Sequence, residues 1–131
     1  MSLNNQKTIA VVEDDEQLLF LINKKLTLNN LKTILAPSKN AFLEYLQIPN
    51  KPKIDLFWLD FYLGDGDAFE LIDKIKSIPN YKDTPIIIVS NSIDENRVKY
   101  MLSLGVKRYF LKAGSSLSEL VDEVVKYTRE D

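Results

Sequence analysis

The sequence contains no cysteine and no histidine, and it has only four glycines among 131 residues. Without cysteine, the chain can form neither a disulfide framework nor a thiolate metal site. Without histidine, it lacks the commonest general base and metal ligand, so any chemistry must use carboxylates, hydroxyls and lysines. These absences favour oxygen-based chemistry in a reducing compartment, and we expect a cytoplasmic location.

Neither a strong charge nor a long apolar run is present. The formal net charge is −2 and the pI is near 5.2, which argues against direct binding of nucleic acid. No segment approaches the roughly 20 apolar residues of a membrane span, and no secretory signal is visible, so we expect no membrane partner. With 45% hydrophobic and 27% charged residues, the composition predicts one globular domain over 1–131, with a flexible N-terminal segment at 1–6.

Short apolar runs alternate regularly with segments of helical periodicity. The runs predict strands at residues 7–12, 31–36, 54–60, 86–89 and 106–111. After each run, apolar residues recur about every three or four positions, as in an amphipathic helix. Because right-handed crossovers make such a sheet parallel and put helices on both of its faces, the alternation predicts a doubly wound, five-stranded α/β fold.

Local signals indicate where the helices begin and end. Asp15 suits the N-cap of the first helix, and Gly105 suits a left-handed residue that closes the fourth. In a capping box, an N-terminal side chain and a Glu in the first turn satisfy each other's free amides. Such boxes are predicted at 67–70, 92–95 and 116–119.

Residues able to do chemistry stand where the predicted strands end. Glu13 and Asp14 follow the first strand, Asp60 ends the third, Ser90 ends the fourth and Lys112 follows the fifth. Since the carboxyl ends of parallel strands meet at one edge of a sheet, we expect these side chains to lie close together. Clustered carboxylates destabilise a fold unless a cation lies among them, and oxygen ligands favour Mg²⁺ or Ca²⁺ over softer metals.

Each candidate also has a purely structural explanation. An acid after a strand often only caps a helix, a serine in that place can do the same, and a loop lysine is usually solvated. For Ser90 the capping role is less suitable, because Ser92 fits it better. Taken together, the residues suit phosphoryl transfer, in which Asp60 attacks phosphorus while a metal and a cation spread the charge.

At these positions the sequence resembles the response-regulator receiver domains of bacterial two-component signalling. The resemblance rests on residues 12–15, 55–67, 85–90 and 105–112, which occur in the family's order on the expected elements. It implies a CheY-like, flavodoxin-like sheet with strand order 2-1-3-4-5. It also implies a signalling domain rather than an enzyme, phosphorylated by a sensor histidine kinase or a phosphotransfer protein and slowly dephosphorylating itself.

The resemblance implies a phosphoacceptor and a set of metal ligands. Asp60 would receive the phosphoryl group, and Lys112 would contact that group. Asp14 and Asp60 would bind Mg²⁺ directly and Glu13 would bind it through water. The backbone carbonyl of Tyr62 would be a further ligand.

The resemblance also implies a switch and an output surface. Ser90 would move toward the phosphoryl oxygens, and the rotamer of Tyr109 would follow it. Tyr62, Asn91 and Ser92 would border the pocket. The fourth helix, fifth strand and fifth helix would then present the new state to an unknown downstream protein. Through the same face the domain would be a monomer or a weak dimer.

Three positions depart from the family pattern. Ala113 replaces a proline that usually forms a cis peptide, and a non-proline cis bond costs roughly 3–4 kcal/mol, which makes the position of Lys112 an open question. Gly64 replaces another proline, which predicts a looser loop after the phosphoacceptor, and Asn91 replaces a small residue. We further hypothesise that the bulk of Tyr62 limits water entry and slows loss of the phosphoryl group.

Three other functions compete with this interpretation. A receiver used only for protein docking, without phosphorylation, would not need all of the candidate site residues. A phosphatase with an aspartate nucleophile would have a second aspartate where Tyr62 stands. A nucleotide-binding protein would carry the P-loop or dinucleotide glycines after the first strand, and these are missing.

Two expectations concern the rest of the chain. No output domain is visible before Asp131, so the signal would pass to another protein. Several basic and aromatic residues near the predicted output face are expected to be solvated surface. They are Arg97, Lys99, Tyr100, Lys107 and Arg108.

Overall fold

A computed structural model describes residues 6–92, 94–114 and 116–129, so the predicted flexible segment at 1–6 lies almost wholly outside the described residues. The main sheet contains β1 (Thr8–Val12), β2 (Lys32–Ala36), β3 (Leu56–Asp60), β4 (Ile86–Ser90) and β5 (Arg108–Leu111). The helices are α1 (Glu16–Leu28), α2 (Lys39–Leu46), α3 (Phe69–Ser77), α4 (Glu95–Ser103) and α5 (Leu117–Arg129). Within the described residues, no helix has both the length and the apolarity that crossing a bilayer requires.

The five strands are parallel and lie in the order β2-β1-β3-β4-β5, which confirms the predicted fold. In the register, Val12 lies opposite Leu59, and Asp60 lies opposite Val89. The carboxyl ends of β1, β3 and β4 therefore meet at one edge. A small antiparallel hairpin, Tyr62–Leu63 with Gly66–Asp67, follows β3 at this edge and was not predicted.

The central strands bury both of their faces, which is why their sequences are continuous apolar runs. In β3, Phe57 and Leu59 pack with α2, α3 and α4, whereas Leu56 and Trp58 pack with α1 and α5. All five residues of β3 are buried. The same alternation puts Asp60 on the side of Trp58, so a carboxylate ends an otherwise apolar strand at the rim of the α1–α5 core.

Two of the predicted helix starts are confirmed. Asp15 is the N-cap of α1, and its Oδ1 accepts a hydrogen bond from the amide of Leu18 at 3.1 Å. At α5, the amide of Glu119 donates to Ser116 Oγ at 3.2 Å, and the amide of Ser116 donates to Glu119 Oε1 at 3.3 Å. Both bonds of the capping box at 116–119 are therefore present.

The capping box predicted at 92–95 is wrong, because α4 begins two residues later than that box requires. Asp94 is the N-cap, and its Oδ1 accepts hydrogen bonds from the amides of Asn96 and Arg97 at 3.0 and 3.2 Å. The backbone of Ser92 instead bonds to side chains of the two neighbouring strands. A carboxylate is a stronger acceptor than a hydroxyl, so Asp94 takes the cap position.

The capping box predicted at 67–70 is also wrong. Ala68 occupies the N-cap position of α3 and makes no side-chain hydrogen bond there. The hairpin before α3 takes the backbone of Asp67 into its ladder, so the helix starts after it. Glu70 forms a salt bridge with Lys39 at 3.0 Å instead of returning to the helix start.

Gly105 has a φ of +99°, as predicted for the residue that closes α4. We expect Gly105→Ala to lower the free energy of unfolding by about 1–2 kcal/mol, because L side chains rarely adopt this backbone conformation. The new Cβ would also lie 3.0 Å from Lys76 Nζ, although that flexible chain can move. Gly114→Ala is the matched control, since a Cβ there meets no atom within 4 Å. Equal urea denaturation midpoints for the two variants would contradict the prediction.

Candidate functional site

Three carboxylates converge at the carboxyl edge of the sheet. One oxygen each from Glu13, Asp14 and Asp60 lies within 4.8 Å of the others. Glu13 and Asp60 are 1% and 5% exposed, whereas Asp14 faces solvent. The pairing of β1 with β3 produces this arrangement, because it brings the residues after Val12 next to the end of β3. The cluster thus has two buried acids and one that an incoming ion can reach.

Lys112 reaches the same cluster from the end of β5. Its Nζ lies 3.0 Å from Glu13 Oε1 and 3.2 Å from Asp60 Oδ2, and its side chain is 17% exposed. The lysine begins a short 3-10 turn, and the described residues contain no cis peptide bond. Although Ala113 stands where the family usually has proline, Lys112 contacts Glu13 and Asp60, as predicted from the sequence.

The charges in this cluster do not balance. Burial, and then the charge of Glu13, raise the pKa of Asp60 to about 7, although Lys112 opposes the rise. Burial alone would lower the pKa of Lys112, but its contacts with Glu13 and Asp60 leave that pKa raised, so the lysine is a cation at neutral pH. One ammonium therefore faces three acids. An all-oxygen donor set with excess negative charge suits a hard divalent cation of the Mg²⁺, Mn²⁺ or Ca²⁺ class.

Ser90 and Tyr109 meet at the loop that follows β4. Ser90 is fully buried, and its Oγ accepts a hydrogen bond from the amide of Ser92 at 3.5 Å. The hydroxyl of the half-buried Tyr109 donates a hydrogen bond to the carbonyl of Ser92, so Tyr109 contacts the loop beside Ser90. Asn91 and Ser92 are exposed in this loop. Ser92 is therefore the residue through which the serine and the tyrosine are linked.

A family model described as the response regulator receiver domain matches residues 9–125 of the chain. The chain belongs to this receiver-domain family. The match covers the main sheet from the second residue of β1 onward and most of α5, so it includes all of the site residues described above. The earlier resemblance in sequence is thereby confirmed at the level of the family.

Relatives of this receiver domain include proteins with a metal or a phosphoryl group in their solved structures. Response regulator Rcp1 of Synechocystis sp. is 30% identical over 116 residues, which cover 84% of this chain and 79% of Rcp1. The Mn²⁺-bound form of Rcp1 is 26% identical, with a TM-score of 0.81 and coverage of 95% of both chains. The phosphorylated cyanobacterial phytochrome response regulator RcpA is 29% identical, with a TM-score of 0.76 and coverage of 91% of this chain and 89% of RcpA.

Tyr62 lies in the hairpin of the receiver domain, and its side chain is directed to α4. The guanidinium of Arg97 donates to the Tyr62 hydroxyl. Its Cζ lies 4.9 Å from the centre of the Phe61 ring and 5.5 Å from that of Tyr62. Arg97 is half-buried, so the expectation that it is simply solvated surface is wrong. The contact joins segments far apart in sequence, and no local pattern could have revealed it.

Asp65, which follows Gly64, attaches the loop after Asp60 to helix α2. The carboxylate of Asp65 accepts hydrogen bonds from the amides of Lys39 and Asn40 at 3.0 and 2.9 Å, in the first turn of α2. The bonds from these amides hold the pKa of Asp65 below its usual range. A Cβ on Gly64 would lie 3.3 Å from Asp14 Oδ2, so this glycine lets the loop lie against the exposed acid. The two hydrogen bonds of Asp65 thus attach this loop to the start of α2.

The raised pKa of Asp60 makes stability depend on pH. The folded protein holds this proton more tightly than the unfolded chain, so metal-free stability falls as pH rises from about 4 toward about 7. No imidazole titrates in this range, because the chain has no histidine. Between about pH 5.5 and 8, we expect the wild-type free energy of unfolding to fall by on the order of 1–2 kcal/mol.

Urea denaturation in EDTA measures this difference, with Asp60→Asn as the comparison. The variant cannot ionise at this position, so Glu13 and Asp14 face no third charge and the fall should be smaller. Adding Mg²⁺ at the higher pH should restore stability to the wild type more than to the variant. A wild type whose stability is unchanged or rises over this interval would contradict the account of the cluster.

Proposed function

We propose that Asp60 accepts a phosphoryl group from a sensor histidine kinase or a phosphotransfer protein, with Mg²⁺ bound at the acidic cluster. The observation that carries the proposal is the geometry around Asp60. Its carboxylate is buried at the mouth of the sheet, within 4.8 Å of oxygens of Glu13 and Asp14 and within 3.2 Å of Lys112. Phosphoryl transfer needs a positioned nucleophile and charge stabilisation, and little else.

The residues present fit the proposed metal. Asp14 and Asp60 would hold the ion directly, Glu13 through water, and the backbone carbonyl of Tyr62 would complete the protein ligands. When bound there, a divalent ion would keep Asp60 ionised and would neutralise charge on the phosphoryl oxygens. The Mn²⁺-bound form of the relative Rcp1 supports a divalent cation in this family.

Asp60 and Lys112 have different roles in the transfer of the phosphoryl group. An oxygen of Asp60 forms the new bond to phosphorus while the P–N bond of a phosphohistidine donor breaks, and the imidazole leaves and takes up a proton. Lys112 turns from the carboxylates to the transferred oxygens and stabilises their charge. The phosphoryl group is then lost by slow hydrolysis, so the domain acts as a signalling module and not as an enzyme with turnover.

The structure supports a route from Asp60 to an output face. Ser90 lies at the end of the strand next to β3, and its hydroxyl would turn toward the phosphoryl oxygens. That movement would change its bond to the amide of Ser92, whose carbonyl holds the hydroxyl of Tyr109. The resulting two-state element would alter the face formed by α4, β5 and α5, where a downstream protein or a weak dimer partner binds.

Incubation with Mg²⁺ and acetyl phosphate, followed by intact mass spectrometry, tests this function. We expect one added phosphoryl group in the wild type, none in EDTA and none in Asp60→Asn. Asp83→Asn is the matched control, since Asp83 is an exposed acid at the opposite end of the sheet. A wild type that stays unmodified, or an Asp60→Asn variant that is still modified, would contradict the proposal. The first result would favour a receiver used only for docking.

A further inference from the structure

A side-chain bridge joins the hairpin after β3 to helix α4. Arg97 donates to the hydroxyl of Tyr62 and stacks over the rings of both Phe61 and Tyr62. No carboxylate of the described residues forms a salt bridge with Arg97. The contacts of the guanidinium are therefore with Phe61 and Tyr62 and not with a carboxylate of the described residues.

The bridge has a firm base in the core. Phe61 is 1% exposed, and its ring contacts Tyr62 edge-on at 4.7 Å and Phe69 at 5.2 Å between centroids. Phe69 in turn contacts Tyr100 of α4 at 5.4 Å. Tyr62 itself is 48% exposed, so without Arg97 its side chain would have solvent on one side and freedom to rotate.

The bridge crosses the edge of the sheet where the phosphoacceptor lies. Tyr62 follows Asp60 by two residues, and Arg97 lies on the helix that follows Ser90. Since β3 and β4 are neighbours, with Asp60 opposite Val89, a contact between the segments that leave them spans the gap between their ends. Water that attacks the phosphoryl group must come from this edge, because the strand itself is buried.

We propose that Arg97 is a positioning residue that holds Tyr62 across this edge and so slows hydrolysis of the aspartyl phosphate. The inference rests on the proposed function. In the hydrolysis, a water oxygen forms the bond to phosphorus and the Asp60 O–P bond breaks. Asp60 leaves as a carboxylate, and inorganic phosphate carries away the oxygen and both hydrogens of the water. A ring held in place limits the approach of that water, whereas a freely rotating ring leaves the edge open for part of the time.

The bridge also connects the lifetime of the phosphoryl group to α4. A protein that binds α4 and draws Arg97 away from Tyr62 would shorten that lifetime. By linkage, a state that favours the bridge would bind such a protein less well. Arg97 would thus adjust the duration of the signal at the helix that presents it.

A double-mutant cycle tests the inference on the phosphorylated protein. After removal of acetyl phosphate, intact mass spectrometry follows the loss of the phosphoryl group with time in Mg²⁺. We expect Arg97→Ala to raise the rate constant about fivefold, equivalent to the ~1 kcal/mol of a cation–π contact and a hydrogen bond at a half-exposed site. Tyr62→Ala should raise it by a similar factor, and the double variant should be no faster than Tyr62→Ala.

Two further variants separate positioning from general loosening of α4. Arg97→Lys keeps a cation over the rings and should recover part of the slow rate. Lys99→Ala changes an exposed residue of the same helix and should leave the rate unchanged. Loss of the phosphoryl group from Arg97→Ala at the wild-type rate would overturn the inference. So would a double variant whose rate constant is raised by the product of the factors for Arg97→Ala and Tyr62→Ala. If the wild type takes up no phosphoryl group, both the proposed function and this inference fail. If the wild type is phosphorylated but Arg97→Ala does not change its decay, only this inference fails.

Discussion

The site depends on one interaction, in which the ammonium of Lys112 contacts the two buried carboxylates of Glu13 and Asp60. Burying an ion costs several kcal/mol unless it is paired, and a single cation cannot neutralise both of these acids together with Asp14. The apolar strands β1 and β3 impose this burial, because they carry their carboxylates to the edge of a closed core. The remaining negative charge suits this edge to a divalent ion and, in the function we propose, to phosphoryl chemistry.

The loops that frame this cluster are held by side-chain contacts to α2 and α4. Asp65 bonds to the first amides of α2 and keeps the loop after β3 in place, while Gly64 leaves room for the exposed carboxylate of Asp14. On the other side, Arg97 joins Tyr62 to α4. Hydrogen bonds and aromatic contacts thus hold the loops on both sides of the acids and the lysine.

The fold could be predicted from the sequence because the buried strands are continuous apolar runs and the helices between them are periodic. The convergence of Glu13, Asp14, Asp60 and Lys112 followed from the parallel sheet, since its carboxyl ends must share one edge. The strand order came from the resemblance, because periodicity carries no information about which strands are neighbours. Two helix starts were wrong where a competing acceptor or a hairpin changed the local bonding. The Arg97 bridge was missed because it depends on packing between remote segments.

The central claim, that the acidic cluster holds a divalent cation, is tested most directly by crystals grown with Mn²⁺. Diffraction near the manganese absorption edge locates the ion by its anomalous signal, independently of any phosphorylation. The account predicts a single strong peak bound to the carboxylates of Asp14 and Asp60, with Lys112 still beside Glu13. No peak at that edge of the sheet at saturating Mn²⁺, or a peak only elsewhere on the molecule, would contradict it.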